Sequence, residues 1–270
     1  MEVCLRHPKL GQHFLKDARF CQRFADSLSI EPDDLVIEIG AGRGALTRFL
    51  ASRARRLVAV EIDPALAARL RDEFLGNARV EILEEDILKV DLAALARERH
   101  FDACFACGNL PYYITSPILR HLFNARASIR RMALLMQREV AERVTAAPGS
   151  RAYGYLSVLA QCYSRPQPVL KIPPGAFSPP PEVHSMLVDF PIASRFSGWA
   201  AADYAAFLNF AQRCFRQKRK SLVNNLSEKQ SRAGVQRVLE EHGLKENIRA
   251  EQLSVAQLAG LFQAMGDGVR

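Results

Sequence analysis

The stretch GNLPYY, from Gly108 to Tyr113, ends an apolar run with residue types that suit the binding of an aromatic amine. Asn109 offers a side-chain carbonyl acceptor and an amide donor where the predicted strand ends. Pro111 has no N–H and a fixed φ, so the backbone carbonyl of Leu110 before it has a set direction. Those two carbonyl oxygens can accept both hydrogens of an exocyclic amine, while Tyr112 can stack on a planar base. We therefore interpret this segment as a clamp for an aryl amine.

A second candidate site is the sequence EIGAGRGA, in which Gly40, Gly42 and Gly44 follow Glu38 at the end of another predicted strand. Glycines at a strand-to-helix turn let the backbone turn tightly and approach a ligand closely. The same residues fit the dinucleotide fingerprint G-x-G-x-x-G/A, so a nicotinamide dehydrogenase is an alternative. Glu38 favours the other interpretation, because a carboxylate near the turn suits a cationic ligand better than a pyrophosphate.

Two further acidic residues end the next two predicted strands. Glu61 lies about 20 residues after the glycine turn, where an acidic side chain can accept hydrogen bonds from ribose hydroxyls. Asp86, in EEDIL, is placed to contact an adenine or its neighbouring loop. Because ligands of such sheets bind across the carboxyl ends of the strands, these residues predict a pocket for a ligand with a ribose and a base.

Short apolar runs alternate with longer amphipathic runs from Asp34 to about Pro191, which is typical of an α/β domain with a largely parallel sheet. The helices are predicted at ALTRFLASRA and at PALAARLRDEFL, the second with Pro64 at its start. The alternating run VHSMLVDF predicts an antiparallel strand near a sheet edge. The other strands are predicted at LVIEIG, RLVAVEID, RVEILEED, FDACFACGN and RRMALLMQ.

The chain changes character after Ser194, where three stretches show helical spacing and no strand signal. We therefore predict two domains, a catalytic domain over 1–194 and a small all-helical domain over 195–270. A dense basic cluster lies at the end of the first helix of the second domain. Its members are Arg213, Arg216, Lys218, Arg219 and Lys220. Together with a net charge of +8 and a pI near 9.4, the cluster favours a polyanionic partner.

Cysteine usage and the apolar segments limit the remaining classes of function. Six cysteines scattered over 270 residues argue against a disulfide scaffold. Cys104 and Cys107 form a C-x-x-C without a second pair, so we predict that both pack in the core and that no metal is bound. No signal peptide is readable, and no apolar segment approaches the roughly 20 residues that span a membrane. A cytoplasmic protein without a membrane partner is expected.

The chain resembles the S-adenosylmethionine-dependent ribosomal RNA adenine dimethylases in seven motifs that occur in the family's order. These are GQHFL, EIGAGRG, VEIDP, EEDIL, GNLPYYIT, FSPPPEVHSMLV and IRAEQLSVAQ, and they cover nearly the whole chain. Tetrads of the clamp type also occur in DNA adenine and protein glutamine methyltransferases, so the order of all seven carries the resemblance. It implies a Rossmann-like class I methyltransferase sheet, a small C-terminal helical domain and S-adenosylmethionine as the cofactor.

The resemblance also implies roles for individual residues in cofactor binding. His13 and Leu15 of GQHFL would border the cofactor, with Gly40 in the glycine turn. Glu61 would hold the ribose hydroxyls, and Asp86 would contact the cofactor adenine.

The catalytic residues that the resemblance implies are those of the clamp, Asn109, Leu110, Pro111 and Tyr112. Asn109 would be shared between the cofactor side and the target amine. The target base must leave its stack to enter such a site. We predict Phe177, in GAFSPPPEV, as the second face of an aromatic sandwich with Tyr112, mounted on a stiff proline segment. The alternative is that Phe177 belongs to the core.

The implied substrate is a pair of adjacent adenines in a hairpin near the 3′ end of 16S rRNA, within an immature 30S subunit. A monomeric enzyme with an RNA-binding helical domain and a role in small-subunit biogenesis is expected. A macrolide-resistance-type methylase of 23S rRNA shares the clamp and is an alternative, although IRAEQLSVAQ favours the small-subunit enzymes. A third possibility is a protein that acts chiefly as a binding factor in ribosome assembly. Tyr113 stands where the family often has Asn.

Overall fold

The computed structural model describes residues 12–196, 198–227 and 231–266 of the chain. Within these ranges the strands are β1 (Phe14–Leu15), β2 (Leu35–Ile39), β3 (Arg56–Glu61), β4 (Val80–Glu84), β5 (Cys104–Asn109), β6 (Ile129–Gln137), β7 (Gln167–Ile172), β8 (Phe177–Ser178) and β9 (Ser185–Pro191). The α-helices are α1 (Ala18–Ser27), α2 (Thr47–Leu50), α3 (Pro64–Glu73), α4 (Leu92–Glu98), α5 (Thr115–Asn124), α6 (Arg138–Thr145), α7 (Tyr155–Tyr163), α8 (Ala201–Cys214), α9 (Leu222–Leu226), α10 (Arg232–Glu241) and α11 (Val255–Ala264).

Seven of these strands form one sheet in the order β4-β3-β2-β5-β6-β9-β7. The strands from β4 to β6 run parallel, and β9 runs antiparallel between β6 and β7. Every residue of β2 is buried, as expected for a parallel strand covered on both faces. The predicted α/β fold, with a largely parallel sheet and an antiparallel strand near its edge, is confirmed.

The edge strand β7 has no counterpart among the predicted strands. It lies in the proline-rich stretch, and its pairing with β9 shifts register between Pro168 and Leu170. Proline cannot donate to a ladder and is tolerated at an edge, where a proline and a bulge also discourage pairing with other chains. The prolines hide this strand from a sequence-based prediction, and they are compatible with its place at the edge of the sheet.

Two predicted helices differ in how well the sequence delimits them. α3 begins at Pro64, and the Asp63 carboxylate accepts from the backbone N–H groups of Ala65 and Leu66 at 2.9 and 3.3 Å. The stretch ALTRFLASRA forms only the short helix α2, flanked by turns. The glycine turn occupies the residues just before α2, so the helix is shorter than its pattern indicates.

The chain divides into two compact units, and the division differs from the predicted domains in one segment. The first unit contains the chain up to Ala141 together with Arg165–Ile192. The second unit contains Glu142–Ser164 together with the chain from Ala193 onward. The sequence order alone assigns residues 142–164, which include α7, to the first domain.

The second unit has a core of its own, and α7 belongs to it. The Tyr163 ring, at the end of α7, lies 5.1 Å from the ring of Tyr204 in α8. Trp199 stacks on Phe196 at 4.4 Å and contacts Phe262 of α11 at 5.8 Å between ring centroids. These contacts explain why the segment 142–164 folds with the C-terminal helices.

The two cysteines of the C-x-x-C pair are buried in β5 and form no disulfide. The Cys104 thiol donates to the carbonyl of Ser128 at 3.2 Å, and burial raises its pKa to about 12. Both cysteines pack in the core, as predicted. In the described ranges no three His, Cys, Asp or Glu side chains lie close enough together to hold a metal ion. None of the helices described combines the length and the apolar character needed to cross a membrane.

Gly108 of β5 pairs with Ile39 of β2. A β-carbon at this position would be 2.3 Å from the carbonyl oxygen of Ile39 and 2.9 Å from its nitrogen. The φ angle of Gly108 is +152°, which also favours glycine. Glycine therefore permits the close approach that brings the end of β5 beside the glycine turn.

We expect Gly108→Ala to lower the free energy of unfolding by about 1–3 kcal/mol, because the added methyl group must displace backbone atoms. Gly175→Ala is the matched control, since Gly175 is exposed and a β-carbon there would have no atom within 4 Å. The control should change the free energy by less than about 0.5 kcal/mol. Urea unfolding of both variants measures the difference, and equal midpoints would contradict the prediction.

Candidate active site

The registers of the parallel strands bring the predicted site residues to one level. Ile39 of β2 pairs with Val60 on one side and with Gly108 on the other. The residues that follow, Gly40, Glu61 and Asn109, therefore emerge side by side at the carboxyl edge of the sheet.

The strand ends open into a cavity of about 740 Å³, counted to its open mouth, which we call the large pocket. A smaller cavity of about 330 Å³, the small pocket, lies against the same glycine turn. Leu15 is buried and lines only the small pocket. Of the predicted residues, the large pocket is lined by His13, Gly40, Glu61, Asp86, Asn109, Leu110, Pro111 and Tyr112.

Asn109 lines both pockets and has one half of its amide satisfied. Its Nδ2 donates to the backbone carbonyl of His13 at 2.8 Å. Its Oδ1 is buried and accepts no hydrogen bond from the part of the chain that is described. A buried acceptor without a donor costs free energy until a ligand supplies the donor, so this oxygen marks a position for a ligand N–H group.

Tyr112 is held from two sides. Its hydroxyl lies 2.7 Å from the Ser185 hydroxyl, and Ser185 is fully buried at the start of β9. The Tyr112 ring stacks on the His13 imidazole, with centroids 5.3 Å apart and planes at 27°. The His13 Nδ1 lies 2.8 Å from the carbonyl oxygen of Pro179; because a carbonyl only accepts, Nδ1 carries the proton in this contact. Burial raises the pKa of the Tyr112 phenol, so the hydroxyl stays protonated.

Ser185 is a site residue that sequence reasoning missed. Its only sequence signal is a hydroxyl at a position of VHSMLVDF that the alternation places on the buried face. A buried hydroxyl needs a partner, and here the partner is the Tyr112 hydroxyl 73 residues away. The partner follows from the sheet order and not from any local pattern.

The prediction that Phe177 forms the second face of a sandwich with Tyr112 is wrong. Phe177 is fully buried in the hydrophobic core and does not line the large pocket. β8 pairs antiparallel with β1, which sets Leu15 opposite Phe177 and covers the ring. The ring that packs on Tyr112 is instead that of His13. The core alternative is the one that the structure bears out.

Glu61 is oriented by backbone N–H groups of the glycine turn and of its own strand end. Its Oε2 accepts from Gly42 at 2.7 Å and its Oε1 from Asp63 at 3.0 Å. Gly42 has a φ of +58°, and a β-carbon there would be 2.8 Å from the Phe14 ring. Burial raises the pKa of Glu61, and the two backbone donors oppose this effect. Each carboxylate oxygen keeps a second lone pair, which is available to a ligand hydroxyl.

Glu38 is a buried carboxyl group with an acceptor that is not satisfied. It is 2% exposed, and its Oε2 has no hydrogen-bond partner among the described residues. Burial raises the pKa of Glu38 to about 8; the nearby Thr47 hydroxyl opposes this effect, and the negative charge of Glu61 adds to it. Glu38 and Asn109 both line the small pocket, so two unsatisfied acceptors adjoin it. This combination suits a cationic donor such as an ammonium group.

The predicted basic cluster lies in the second unit. Arg213 is in the last turn of α8, and Arg216, Lys218, Arg219 and Lys220 are exposed in the turn that follows. The side chain of Asn225 braces this turn, because it donates to the backbone carbonyl of Gln217 and accepts from its N–H, both at 3.1 Å. The turn therefore presents its cations from a supported backbone. The Lys218 ammonium also lies 3.7 Å from the carboxylate of Glu251.

The comparison with protein families decides the interpretation of this site. The family model described as ribosomal RNA adenine dimethylase matches residues 4–267. The chain belongs to the ribosomal RNA adenine dimethylase family. As a member of this family it is a methyltransferase that uses S-adenosylmethionine as its cofactor, and the nicotinamide dehydrogenase alternative is excluded.

Curated relatives and solved structures agree with the family. The chain is 45% identical over 261 residues to ribosomal RNA small subunit methyltransferase A of Acidobacterium capsulatum, covering 96% of this chain and 91% of the relative. It is 40% identical to the protein of that name from Koribacter versatilis, covering 96% and 94%. The structure of the 23S rRNA methyltransferase ErmE is similar, with a TM-score of 0.71 and 26% identity over 93% of this chain and 99% of that one. A dimethyladenosine transferase from Plasmodium falciparum shares the fold, with a TM-score of 0.77 and 24% identity over 92% and 96% of the two chains.

The donor and acceptor set of the two pockets fits S-adenosylmethionine. The unsatisfied oxygens of Glu38 and Asn109 suit the ammonium group of its amino-acid part, and the second lone pair of the Asn109 oxygen remains for another donor. The remaining lone pairs of Glu61 suit the ribose hydroxyls. Asp86, partly buried two residues beyond β4, also lines the large pocket.

We expect the affinity for S-adenosylhomocysteine to rise with pH between about 6 and 8, by up to about tenfold per pH unit. An ammonium group prefers the ionised form of Glu38, whose pKa is raised to about 8, so binding below that pH must release a proton. Calorimetric titration in buffers of different ionisation enthalpy measures both the affinity and the protons released.

Glu38→Gln should bind more weakly at pH 8 and lose the rise with pH. Glu85→Gln, which changes an exposed carboxylate that lines the large pocket and not the small pocket of Glu38, is the control and should keep the rise. An affinity of the unaltered protein that does not change between pH 6 and pH 8 would exclude Glu38 as the group that binds the cation.

Proposed function

We propose that the protein dimethylates two adjacent adenines in a hairpin near the 3′ end of 16S rRNA. It acts as a cytoplasmic monomer on an immature 30S subunit and serves small-subunit biogenesis. The observation that carries the chemistry is the unsatisfied Asn109 oxygen at the junction of the two pockets. The similarity to relatives named ribosomal RNA small subunit methyltransferase A supports the small subunit as the source of the adenine.

The clamp makes the adenine amine a better nucleophile. Bound S-adenosylmethionine supplies a methyl group on a sulfonium centre. The adenine amine is a weak nucleophile because its lone pair is delocalised into the ring. Hydrogen bonds from the amine to the Asn109 side-chain carbonyl and the Leu110 backbone carbonyl favour a pyramidal nitrogen and free that lone pair. The nitrogen becomes cationic as it gains the methyl group, and its acidic proton is then lost to water. The two neutral carbonyls therefore need only align the amine, and no strong general base is required.

Alignment of the two reactants is the main source of rate acceleration in such a site, and the contacts of the clamp provide it. The bond from Asn109 Nδ2 to the His13 carbonyl fixes the direction of Oδ1. The bond between the hydroxyls of Tyr112 and Ser185 fixes the ring that stacks on the base. Pro111 begins a tight turn in which its carbonyl accepts from Thr115 at 3.1 Å. Ideal alignment of two reactants contributes about 7–11 kcal/mol at most, so small displacements of these groups are costly.

We expect the protein to transfer labelled methyl groups from S-adenosylmethionine to isolated 30S particles and not to 50S particles, with the label on N6 of two neighbouring adenines. Asn109→Ala should lower kcat/KM by about 100-fold or more, because the amine loses its acceptor and its alignment. Filter binding with mapping of the modified bases measures both effects.

The particle assay and a comparison of two bacterial strains separate the other candidate functions. Methylation of 50S particles alone would favour the 23S rRNA activity that the name of ErmE states for that protein. For a protein that is chiefly an assembly factor, cells carrying Asn109→Ala would mature their subunits normally while cells lacking the protein would not. Under the proposed function the small subunits of both strains fail to mature normally.

The basic cluster supports RNA binding by the second unit. Each cation that neutralises a phosphate releases counterions, so binding weakens as salt rises. We expect Arg219→Gln with Lys220→Gln to flatten the plot of log affinity against log salt by about 0.7–0.9 for each phosphate that is no longer neutralised. Arg237→Gln with Lys245→Gln removes the same charge from exposed positions elsewhere in the unit and should leave the slope unchanged. Equal slopes for both pairs would remove the cluster from the RNA interface.

A further inference from the structure

Two consecutive tyrosines at the end of β5 have different surroundings. Tyr112 is fixed by its hydrogen bond to Ser185 and by its stack on His13. Tyr113 is 53% exposed and lines the rim of the large pocket. The clamp uses only the first ring, so the second ring needs its own explanation.

Two carboxylates share the large pocket with Tyr113. Burial raises the pKa of the Tyr113 phenol, and the negative charges of Asp86 and Glu61 raise it further. Tyr113 lines the large pocket together with Glu61, which ends β3, and Asp86, which follows β4, although Tyr113 itself follows β5. These carboxylates are the ones that suit the adenine and the ribose of the methyl donor.

An apolar side chain lies at the end of β3 as well. Ile62 follows Glu61, is 48% exposed and lines the large pocket. β3 and β5 flank β2, so their ends are two strand spacings apart, about 10 Å. A planar base needs about 3.5–4 Å on each face to contact apolar atoms, so a space of this width accommodates one between walls from β3 and β5.

The distribution of exposed apolar groups argues against a coincidence. Single exposed apolar side chains are ordinary on protein surfaces. Large ones are exposed at five positions in the described part of the chain, and Tyr113 and Ile62 are the two that line the large pocket. The other three, Leu75, Val169 and Val183, line neither of the two pockets.

We propose that Tyr113 forms the outer wall of the nucleoside half of the large pocket and packs against the adenosine of S-adenosylmethionine. Tyr112 then serves the acceptor base and Tyr113 serves the methyl donor. This division rests on the acceptor role proposed above, whereas the contact with the donor does not depend on which rRNA is methylated. Tyr113 sets how tightly the donor and its demethylated product are held.

Calorimetry with S-adenosylhomocysteine and with methylthioadenosine tests the contact, since the second probe has the adenosine but no amino-acid part. Tyr113→Ala should weaken the binding of both probes by a similar factor of about tenfold, as expected for the loss of one stacked ring. Tyr113→Phe keeps the ring and should stay within about twofold of the unaltered protein for both probes. Leu75→Ala removes an apolar group that is more exposed, at 87%, and lies outside both pockets, and it should change nothing.

Two results would overturn the proposal. The first is a loss of affinity for S-adenosylhomocysteine but not for methylthioadenosine, which would place the ring against the amino-acid part. The second is unchanged binding of both probes by Tyr113→Ala with a raised KM for the RNA at saturating donor, which would assign Tyr113 to the acceptor. If the protein binds both probes through Tyr113 but does not methylate 30S particles, the proposed substrate fails and the contact stands.

Discussion

The pairing of Gly108 in β5 with Ile39 in β2 aligns the site residues at the carboxyl edge of the sheet. With a side chain at Gly108 the strands would have to separate, because the β-carbon would lie 2.3 Å from the Ile39 carbonyl. Ile39 also pairs with Val60, so the residues that follow Gly108 and Val60 lie at the same position along the sheet. Asn109 and Glu61 therefore flank the glycine turn side by side. One amide therefore borders both pockets, and the two reactants can meet at a single side chain.

The site is organised around hydrogen-bond acceptors that the described part of the protein does not itself satisfy. A buried acceptor without a donor costs about 1–3 kcal/mol, and Glu38 and Asn109 each contribute one. Glu61, in contrast, accepts from two backbone N–H groups at the same edge of the sheet. A ligand that supplies the missing donors removes this cost, and the free energy recovered adds to its binding. Unsatisfied hydrogen-bonding groups in proteins tend to occur at functional sites, and here they lie in the pockets proposed for the methyl donor.

The features that the sequence predicts well are local. The glycine turn, the acidic strand ends and the clamp each depend on a few neighbouring residues at strand ends, and parallel pairing brings them together. The stack of His13 on Tyr112 and the bond from Tyr112 to Ser185 join segments far apart in sequence, so no local pattern reveals them. The sequence misplaces Phe177 because a ring beside a proline segment has the same local pattern whether it faces a ligand or the core. Similarly, the helical pattern of residues 142–164 does not say which unit the helix packs with.

The imidazole of His13 competes within the protein for the face of Tyr112 that the proposed function assigns to the base. His13 is tethered to the pocket through its own backbone carbonyl and through Pro179, so it meets Tyr112 at an effective concentration on the order of millimolar or higher. Any planar group that takes this face of Tyr112 must first displace the imidazole, and its apparent affinity falls by the fraction of time that the face is covered. Isolated nucleobases face this threshold with only their own stacking energy. A base that arrives as part of a larger RNA brings contacts made elsewhere, so the stack filters acceptors by what they are attached to.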